Sequence, residues 1–250
     1  MTTTRLNKFL AHATGISRRQ ADEAIAAGRV RVNGTIAVMG TQVADGASVT
    51  LDGKLVSAQQ NYTYIVLHKP VSYICSRRRQ GNTPTIYELL PVQYRALKAV
   101  GRLDKDSSGL LLLTDDGDFA HRMTHPGFHK TKVYEVQLNK PLEPLHQQMI
   151  SDYGITLEDG VSQFLVEKLE HRPQDRKIER PREVTYKRTT RTSEAARKTY
   201  RVTMHEGRNR QIRRTFAALG YTVARLHRIT FGNYSLGDIK SGTYEVTVMR

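Results

Sequence analysis

The 250-residue chain has room for one large or two smaller domains around a real hydrophobic core, and 39 Lys plus Arg against 24 Asp plus Glu give it a formal net charge of +15. With 38% hydrophobic residues, no apolar run near the roughly 20 residues of a membrane span, and no signal-peptide core in MTTTRLNKF, the composition excludes disordered and membrane-spanning classes and predicts a cytoplasmic globular protein. The single cysteine, Cys75, excludes an internal disulfide and a multi-cysteine zinc site, while the excess positive charge points to a polyanion, nucleic acid ahead of a lipid surface.

Residues 5–13, RLNKFLAHA, space Leu6, Phe9, Leu10 and Ala13 along one helical face, and Gly15 ends the turn. A second helix starts at Ser17, where Gln20 three residues on completes a capping-box pattern. Ala21, Ala24 and Ile25 continue its apolar face and Gly28 stops it. Val30-Arg31-Val32 then runs into Asn33-Gly34, a strong hairpin signal. Ile36 to Val38, Val43 and Val49 to Leu51 extend a small antiparallel sheet that turns at Asp52-Gly53. The polar SAQQN of residues 57–61 reads as a linker. This divides the chain into a first domain at 1–58 and a second at 62–250.

In the second domain, Tyr62 to Leu67 predicts a strand ending at His68-Lys69-Pro70. Residues 77–83, RRRQGNT, read as a basic loop, and Thr85 to Leu90 as a helical turn. The pivotal stretch is GRLDKDSSGLLLLTDDG at 101–117. Its run Leu110 to Leu113 is too short for a surface helix and is flanked by turn residues, which predicts a buried strand. Asp104 precedes it in a polar loop beside Arg102 and Lys105. A loop anchored on a buried strand holds a charged group fixed yet reachable, as an active site requires, although an ordinary loop aspartate fits this stretch equally well. Asp118 to Met123 predicts a short helix stopped near Pro126-Gly127, and Lys132 to Leu138 a strand with Tyr134, Val136 and Leu138 facing inward. Leu142 to Ile150 predicts a helix, and Val161 to Leu169 and Thr199 to Met204 predict strands. Between those strands, residues 170–198 are rich in basic residues and poor in large apolar ones, the pattern of a solvated insertion. EGRNRQIRRTFAALG at 206–220 predicts a turn and then a helix burying Ile212, Phe216 and Leu219. Tyr221 to Leu226 and Thr243 to Val248 are the last predicted strands. Hairpins and short helices between these strands predict a mixed, mainly antiparallel α+β domain.

RLNKFLAHATGISRRQADEAIAAGRVRVNG resembles an S4 domain, a small RNA-binding module. The resemblance implies that Lys8, Arg18, Arg19, Arg29 and Arg31 meet RNA phosphates, where charge patterning alone would suggest a solvated face. Farther on, LHKPVSYICS at 67–76, the central motif, KVYEV at 132–136, and EGRNRQIRR followed by VARLHRITFG at 223–232 resemble the RsuA-type ribosomal RNA pseudouridine synthases. In that family, as in the order seen here, an S4 domain precedes the catalytic domain. The resemblance implies an α+β chain with a small N-terminal S4 domain and a mainly antiparallel mixed-sheet synthase domain. It implies that Asp104 is catalytic, that Tyr134 stacks on the target base, that Arg213 is the basic partner of the aspartate, and that Leu226 touches the base. Arg102, Arg208, Arg210, Gln211, Arg214 and Lys69 are then expected to bind substrate. The implied partner is ribosomal RNA or a ribosomal assembly intermediate, met by a monomer without cofactor or metal. KDSSG and LGDIKSG lean towards the large-subunit members. Ser72 departs from the pattern, standing where a glycine usually follows the residue after the proline, which puts the geometry of that turn in question.

The chemistry is consistent with these residue types. Uridine becomes pseudouridine when its N1–C1′ bond breaks, the uracil turns, and C5 takes the place of N1, with no redox change and no outside group. An ionised carboxylate is needed either to attack ribose or base or to remove a ribose proton. A neighbouring cation would keep it ionised against the opposing effect of burial. A base drawn out of its stack needs an aromatic face and an apolar side chain to hold it. Each residue also has a plainer reading: Tyr134 and Leu226 as core, Arg213 as helix surface. His121, His125 and His129 recur every fourth residue, but Pro126 and Gly127 break the helix that would align them on a metal. A metal-dependent nuclease would need clustered carboxylates, and the leucine strand separates Asp104 and Asp106 from Asp115 and Asp116. A non-catalytic RNA-binding or ribosome-assembly protein is the remaining alternative, against which the joint presence of Asp104, Tyr134 and Arg213 counts.

Overall fold

The computed structural model describes residues 3–57, 61–169 and 198–249. Most of the predicted linker and nearly all of the basic 170–198 segment therefore lie outside the described residues.

The first domain forms as its sequence signals predict. Helices α1 (Leu6–Thr14) and α2 (Arg18–Ala26) pack their apolar faces together. At the start of α2 the Ser17 hydroxyl accepts from the Gln20 amide while Gln20 Oε1 accepts from the Ser17 amide, at 3.2 and 2.9 Å, so two otherwise unpaired N–H groups are satisfied. Three-residue strands follow, and one even shorter: β1 (Thr3–Arg5) precedes α1, and β2 (Val30–Val32), β3 (Thr35–Ile36), β4 (Gln42–Ala44), β5 (Val49–Leu51) and β6 (Lys54–Val56) come after α2. The sheet order is β3-β2-β5-β6, with β1 and β4 paired separately. Asn33-Gly34 and Asp52-Gly53 have positive φ at both residues, the turn geometry that matches strand twist in a two-residue hairpin. Leu6, Leu10, Ala21, Ala24, Ile25, Val30, Val43 and Val49 bury one another in a core of their own. The β1 pairing was not anticipated, because three residues carry no readable alternation.

The second domain is built on a large sheet. Its strands are β7 (Tyr64–Lys69), β8 (Lys98–Val100), β9 (Ser108–Thr114), β10 (Lys132–Leu138), β13 (Leu165–Lys168), β14 (Thr199–Met204), β15 (Val223–Phe231), β16 (Tyr234–Ser235) and β17 (Tyr244–Thr247), while β11 (Ile155–Leu157) and β12 (Gly160–Ser162) form a separate hairpin. Among the described residues the main order is β13-β14-β10-β15-β9-β7-β17, with β8 on β9 and β16 on β15. The pairings are antiparallel except between β9 and β15. Leu110 and Leu112 enter one core with Tyr64, Phe119 and Phe231, and Leu111 and Leu113 enter another with Ile65, Tyr134 and Val136. Burial on both faces explains why the leucine run is continuous rather than alternating. Helix α3 (Gly117–Thr124), capped by the Asp116 carboxylate, covers one face beside the first domain.

Three expectations are corrected. Val161 to Leu169 is not one strand: β12 ends at Ser162, and Gln163, whose side chain donates to Ser151 O and Asp152 O at 2.9 and 3.0 Å, turns the chain before β13. The helix expected over 142–150 starts as α4 (Pro144–Gln148) and widens into a π turn over Met149–Tyr153. The strand expected to stop at Leu226 continues to Phe231, because the polar residues His227, Arg228 and Thr230 concealed it, although His227 and Arg228 are buried.

Candidate active site

The loop 101–107 joins β8 to β9 and carries Asp104. It is fastened from below by Lys69, the last residue of β7. Lys69 is wholly buried, and its Nζ donates to Pro70 O, Asp104 O and Ser107 O at 3.0, 3.0 and 2.7 Å. Burial lowers its pKa to about 8. Expected at the substrate, Lys69 lies outside the cleft lining and ties backbone segments together, its donors pointing into the loop. At the loop's exit Gly109 has φ +109° and pairs with Arg228. A Cβ there would stand 2.2 Å from Arg228 O, so only glycine lets β9 pass β15 this closely. Ser72 has φ +72° and its amide donates to Lys105 O at 2.7 Å, so the turn after Pro70 keeps a left-handed, glycine-like conformation and braces the same loop.

The Asp104 carboxylate is 29% exposed and faces a cleft of about 590 Å³. Tyr134, Leu226, Arg102, Arg208, Arg210 and Gln211 line this cleft with it, so seven of the expected residues meet there. Tyr134 comes from the inward face of β10 and Leu226 from β15 next to it.

Arg213 lies on helix α5 (Gln211–Ala218), outside the cleft lining, and its ion-pair partner is Asp106 rather than Asp104. Its Nε stands 3.2 Å from Asp106 Oδ2, and its Nη2 and Nη1 donate to Asp106 O and Val223 O at 2.9 and 2.8 Å. Arg210 chelates the Asp106 carboxylate at 3.1 Å to each oxygen and approaches Asp104 Oδ2 to 3.7 Å. Burial pushes the Asp106 pKa up, but the Arg210 hydrogen bonds and Arg213 outweigh it and hold the carboxyl below its usual range. Arg213 itself is lowered by burial, against the pull of Asp106. Asp106 therefore clamps α5 to the Asp104 loop, and a one-residue neighbour of Lys105 that the sequence left unassigned becomes a key part of the site.

Arg208 and Arg214, in the same stretch, bond back into the fold. Arg208 donates to Asp159 O, Gly160 O and Val161 O at 2.9, 3.0 and 2.8 Å, and Arg214 pairs with Asp159 Oδ2 at 2.6 Å. Gln211 Nε2 bonds Ser162 Oγ at 3.1 Å and the Glu206 carboxylate. Together they pin the start of α5 to the β11–β12 hairpin; Arg214 lies outside the cleft lining, and Arg208 and Gln211 line the cleft with most of their polar atoms engaged, Arg208 Nε being without a hydrogen-bond partner. In the first domain, Lys8 pairs with Asp118 of α3 at 2.7 Å and thus joins the two domains. Arg29 pairs with Asp52, Arg31 donates to Gly34 O at 2.9 Å, and Arg18 and Arg19 are exposed at the start of α2.

Two cations missed in the sequence line the cleft. Arg228 is 2% exposed; its Nε donates to Leu110 O at 2.8 Å, its Nη2 has no partner, and its guanidinium lies 4.8 Å from the centre of the Phe231 ring. Lys132 Nζ lies 5.2 Å from the same ring. A basic residue on a strand that is otherwise buried was the available signal. Behind them His227 Nδ1 lies 2.9 Å from Ser108 Oγ, and burial pushes its pKa down to about 4, leaving it neutral. Among the described residues no three His, Cys, Asp or Glu side chains converge as a metal site.

A family profile described as RNA pseudouridylate synthase matches residues 63–218, and an S4 domain profile matches residues 4–49. The ribosomal small subunit pseudouridine synthase A of Pasteurella multocida (strain Pm70) is 35% identical over 243 residues, covering 96% of this chain and 94% of the relative. The ribosomal large subunit pseudouridine synthase B of Escherichia coli (strain K12) is 34% identical over 240 residues, covering 93% and 75%. A solved structure described as a crystal structure of pseudouridylate synthase aligns over 98% of this chain and 96% of that one, with a TM-score of 0.62 and 30% identity.

Proposed function

The chain belongs to the RNA pseudouridylate synthase family, and from that premise we propose that it isomerises uridine to pseudouridine at one or a few positions of ribosomal RNA. It acts as a cytoplasmic monomer, with residues 1–58 holding the RNA and residues 62–250 carrying the chemistry. The observation that carries the reading is the cleft that gathers the Asp104 carboxylate, the Tyr134 ring and the Leu226 side chain. Similarity does not separate the two ribosomal subunits, since relatives named for each match at 35% and 34% identity.

In this reading the target uridine leaves its stack and enters the cleft between Tyr134 and Leu226. Asp104, held by Lys69 and by the Asp106 clamp, meets the ribose or the base without a reorganisation cost at the moment of reaction. The N1–C1′ bond breaks, the uracil turns against the aromatic face, C5 bonds to C1′, and the C5 proton leaves while N1 gains one. Atoms balance with no cofactor. Arg213 contributes by fixing the loop through Asp106, and Arg210 is the nearer cation to Asp104. The test is carbodiimide mapping of both ribosomal RNAs in cells with and without the gene. One modified position should vanish, and return with the wild type but not with Asp104→Asn. Restoration by Asp104→Asn would remove the assigned role.

A further inference from the structure

We propose that Lys132 and Arg228 form a phosphate subsite, in which a backbone phosphodiester of the target nucleotide seats beside Phe231 while the base occupies the Tyr134 end of the cleft. The identity of the RNA and the placement of the target base at Tyr134 rest on the synthase reading; the phosphate contact itself does not.

The two residues come from neighbouring strands. Tyr134 of β10 pairs with Arg228 of β15, and Lys132 pairs with Phe231, so both cations and the ring sit within a few residues of the stacking tyrosine. Neither cation forms an ion pair with a carboxylate among the described residues. Lys132 Nζ donates only to the carbonyls of Lys130 and His205, at the long distances of 3.3 and 3.2 Å. Arg228 is buried to 2% exposure with Nη2 unpaired, and the nearby acid, Glu206, is tied to Gln211 and Arg208. Burial and the neighbouring Arg228 lower the Lys132 pKa to about 8, the mark of two like charges sharing a partly dry place. A buried polar group of a native protein normally has a partner, and an orphaned guanidinium nitrogen at a substrate cleft calls for one from the substrate. An uncharged uracil carbonyl would satisfy a hydrogen bond but would leave both charges uncompensated. A phosphodiester satisfies both, and guanidinium is well shaped to receive it. Both cations are held in place beforehand, Arg228 by Leu110 O and Lys132 by its two carbonyls, so the site would fix the nucleotide as well as attract it.

The experiment uses full-length protein and unmodified transcripts of the two ribosomal RNAs labelled with tritium at uracil C5, which is released on turnover. Steady-state constants and filter-binding affinities are measured against KCl concentration for the wild type, Lys132→Met, Lys132→Arg and Arg228→Met. Lys132→Met should raise KM about tenfold with kcat changed less, and lower the slope of log affinity against log salt by roughly 0.7–0.9, the share of one phosphate contact. Lys132→Arg should recover the slope. Arg228→Met should act likewise but also lose the tie to Leu110 O, so Lys132→Met carries the decision if Arg228→Met fails to fold. Lost turnover with an unchanged salt slope would make both residues structural and overturn the subsite. If the wild type releases no tritium from either transcript, the synthase reading fails, and the slopes still decide: a lowered slope supports the phosphate contact, and equal slopes overturn it.

Discussion

Replacing Lys69 by Met tests whether the Asp104 loop depends on a buried tie rather than on a substrate contact. The methionine keeps the length and apolar stem of the side chain but strands three carbonyls, those of Pro70, Asp104 and Ser107. Hydrogen bonds from a charged donor contribute about 1.5–3 kcal/mol each. Against this, lowering the lysine pKa from 10.5 to about 8 marks a burial cost of roughly 3 kcal/mol, at 1.36 kcal/mol per unit. The net loss is then about 1.5–6 kcal/mol, and the melting temperature should fall by roughly 3–24 °C at the ~2–4 °C per kcal/mol expected for a chain of this size. Below that melting point kcat should drop about 100-fold, the effect of a displacement near 1 Å at a reacting group. RNA affinity should hold, because Lys69 does not line the cleft. Calorimetry, tritium release and filter binding read the three quantities. A variant that melts like the wild type but binds RNA weakly would return Lys69 to the substrate and refute the reasoning.

Three further outcomes follow from the same geometry. Asp106→Asn leaves Arg210 and Arg213 facing a neutral amide, so kcat should fall about 10–100-fold through loss of positioning while KM stays near the wild-type value; a change confined to KM would instead make Asp106 a binding residue. Ser72→Gly relieves a left-handed residue costing about 1 kcal/mol but frees the unfolded chain by a similar amount, so stability should change by less than ~1 kcal/mol. A large loss of stability would mean that the serine side chain, not the backbone turn, holds that position. His227 has its pKa lowered by burial, to about 4 in the folded state, so between pH 6.5 and 4 the unfolded chain binds the extra proton. Its contribution is complete above pH 6.5 and is lost as pH falls through about 4, a decline of roughly 3 kcal/mol. His227→Gln should flatten the stability–pH curve in that window, and an unchanged acid slope would place the sensitivity elsewhere.

Legibility in the sequence tracked how local the determining physics was. The capping box at Ser17 and Gln20, the Asn33-Gly34 turn and the doubly buried leucine strand are written in a few adjacent residues, and each forms as predicted. Motif order also brought seven expected residues to one cleft. Partnership was not legible. Arg213 was matched to Asp104 because both belong to ordered motifs, but the separation that decides the ion pair is set by how α5 packs on the loop, and that places Asp106 in reach. Arg208 and Arg214 read as substrate-facing because nothing in their neighbourhood indicates that Asp159, half a hundred residues earlier, folds beneath them. The long strand β15 was cut short for the same reason, since its buried His227 and Arg228 are accommodated by contacts with β9 that lie far away in the chain.

The net charge of +15 therefore overstates the number of direct phosphate contacts while leaving the long-range field intact. Lys8, Arg29, Arg208, Arg213 and Arg214 are paired with carboxylates of the protein, and Lys69 is buried against carbonyls. A paired surface arginine still adds nothing to the net field beyond its partner, so steering of the RNA comes from the excess of cations as a whole. Contact comes from the few that remain free to exchange a counterion for a phosphate. Arg19 on the first domain and Arg102, Lys132 and Arg228 in the cleft are among the described cations available for that exchange, alongside exposed cations elsewhere such as Arg78, Arg201 and Arg225. These positions run from α2 to the cleft, and the Lys8–Asp118 pair bridges the two domains along the way. Salt should accordingly weaken RNA binding steeply, yet with a slope set by the cations that meet phosphate rather than by the basic residue count.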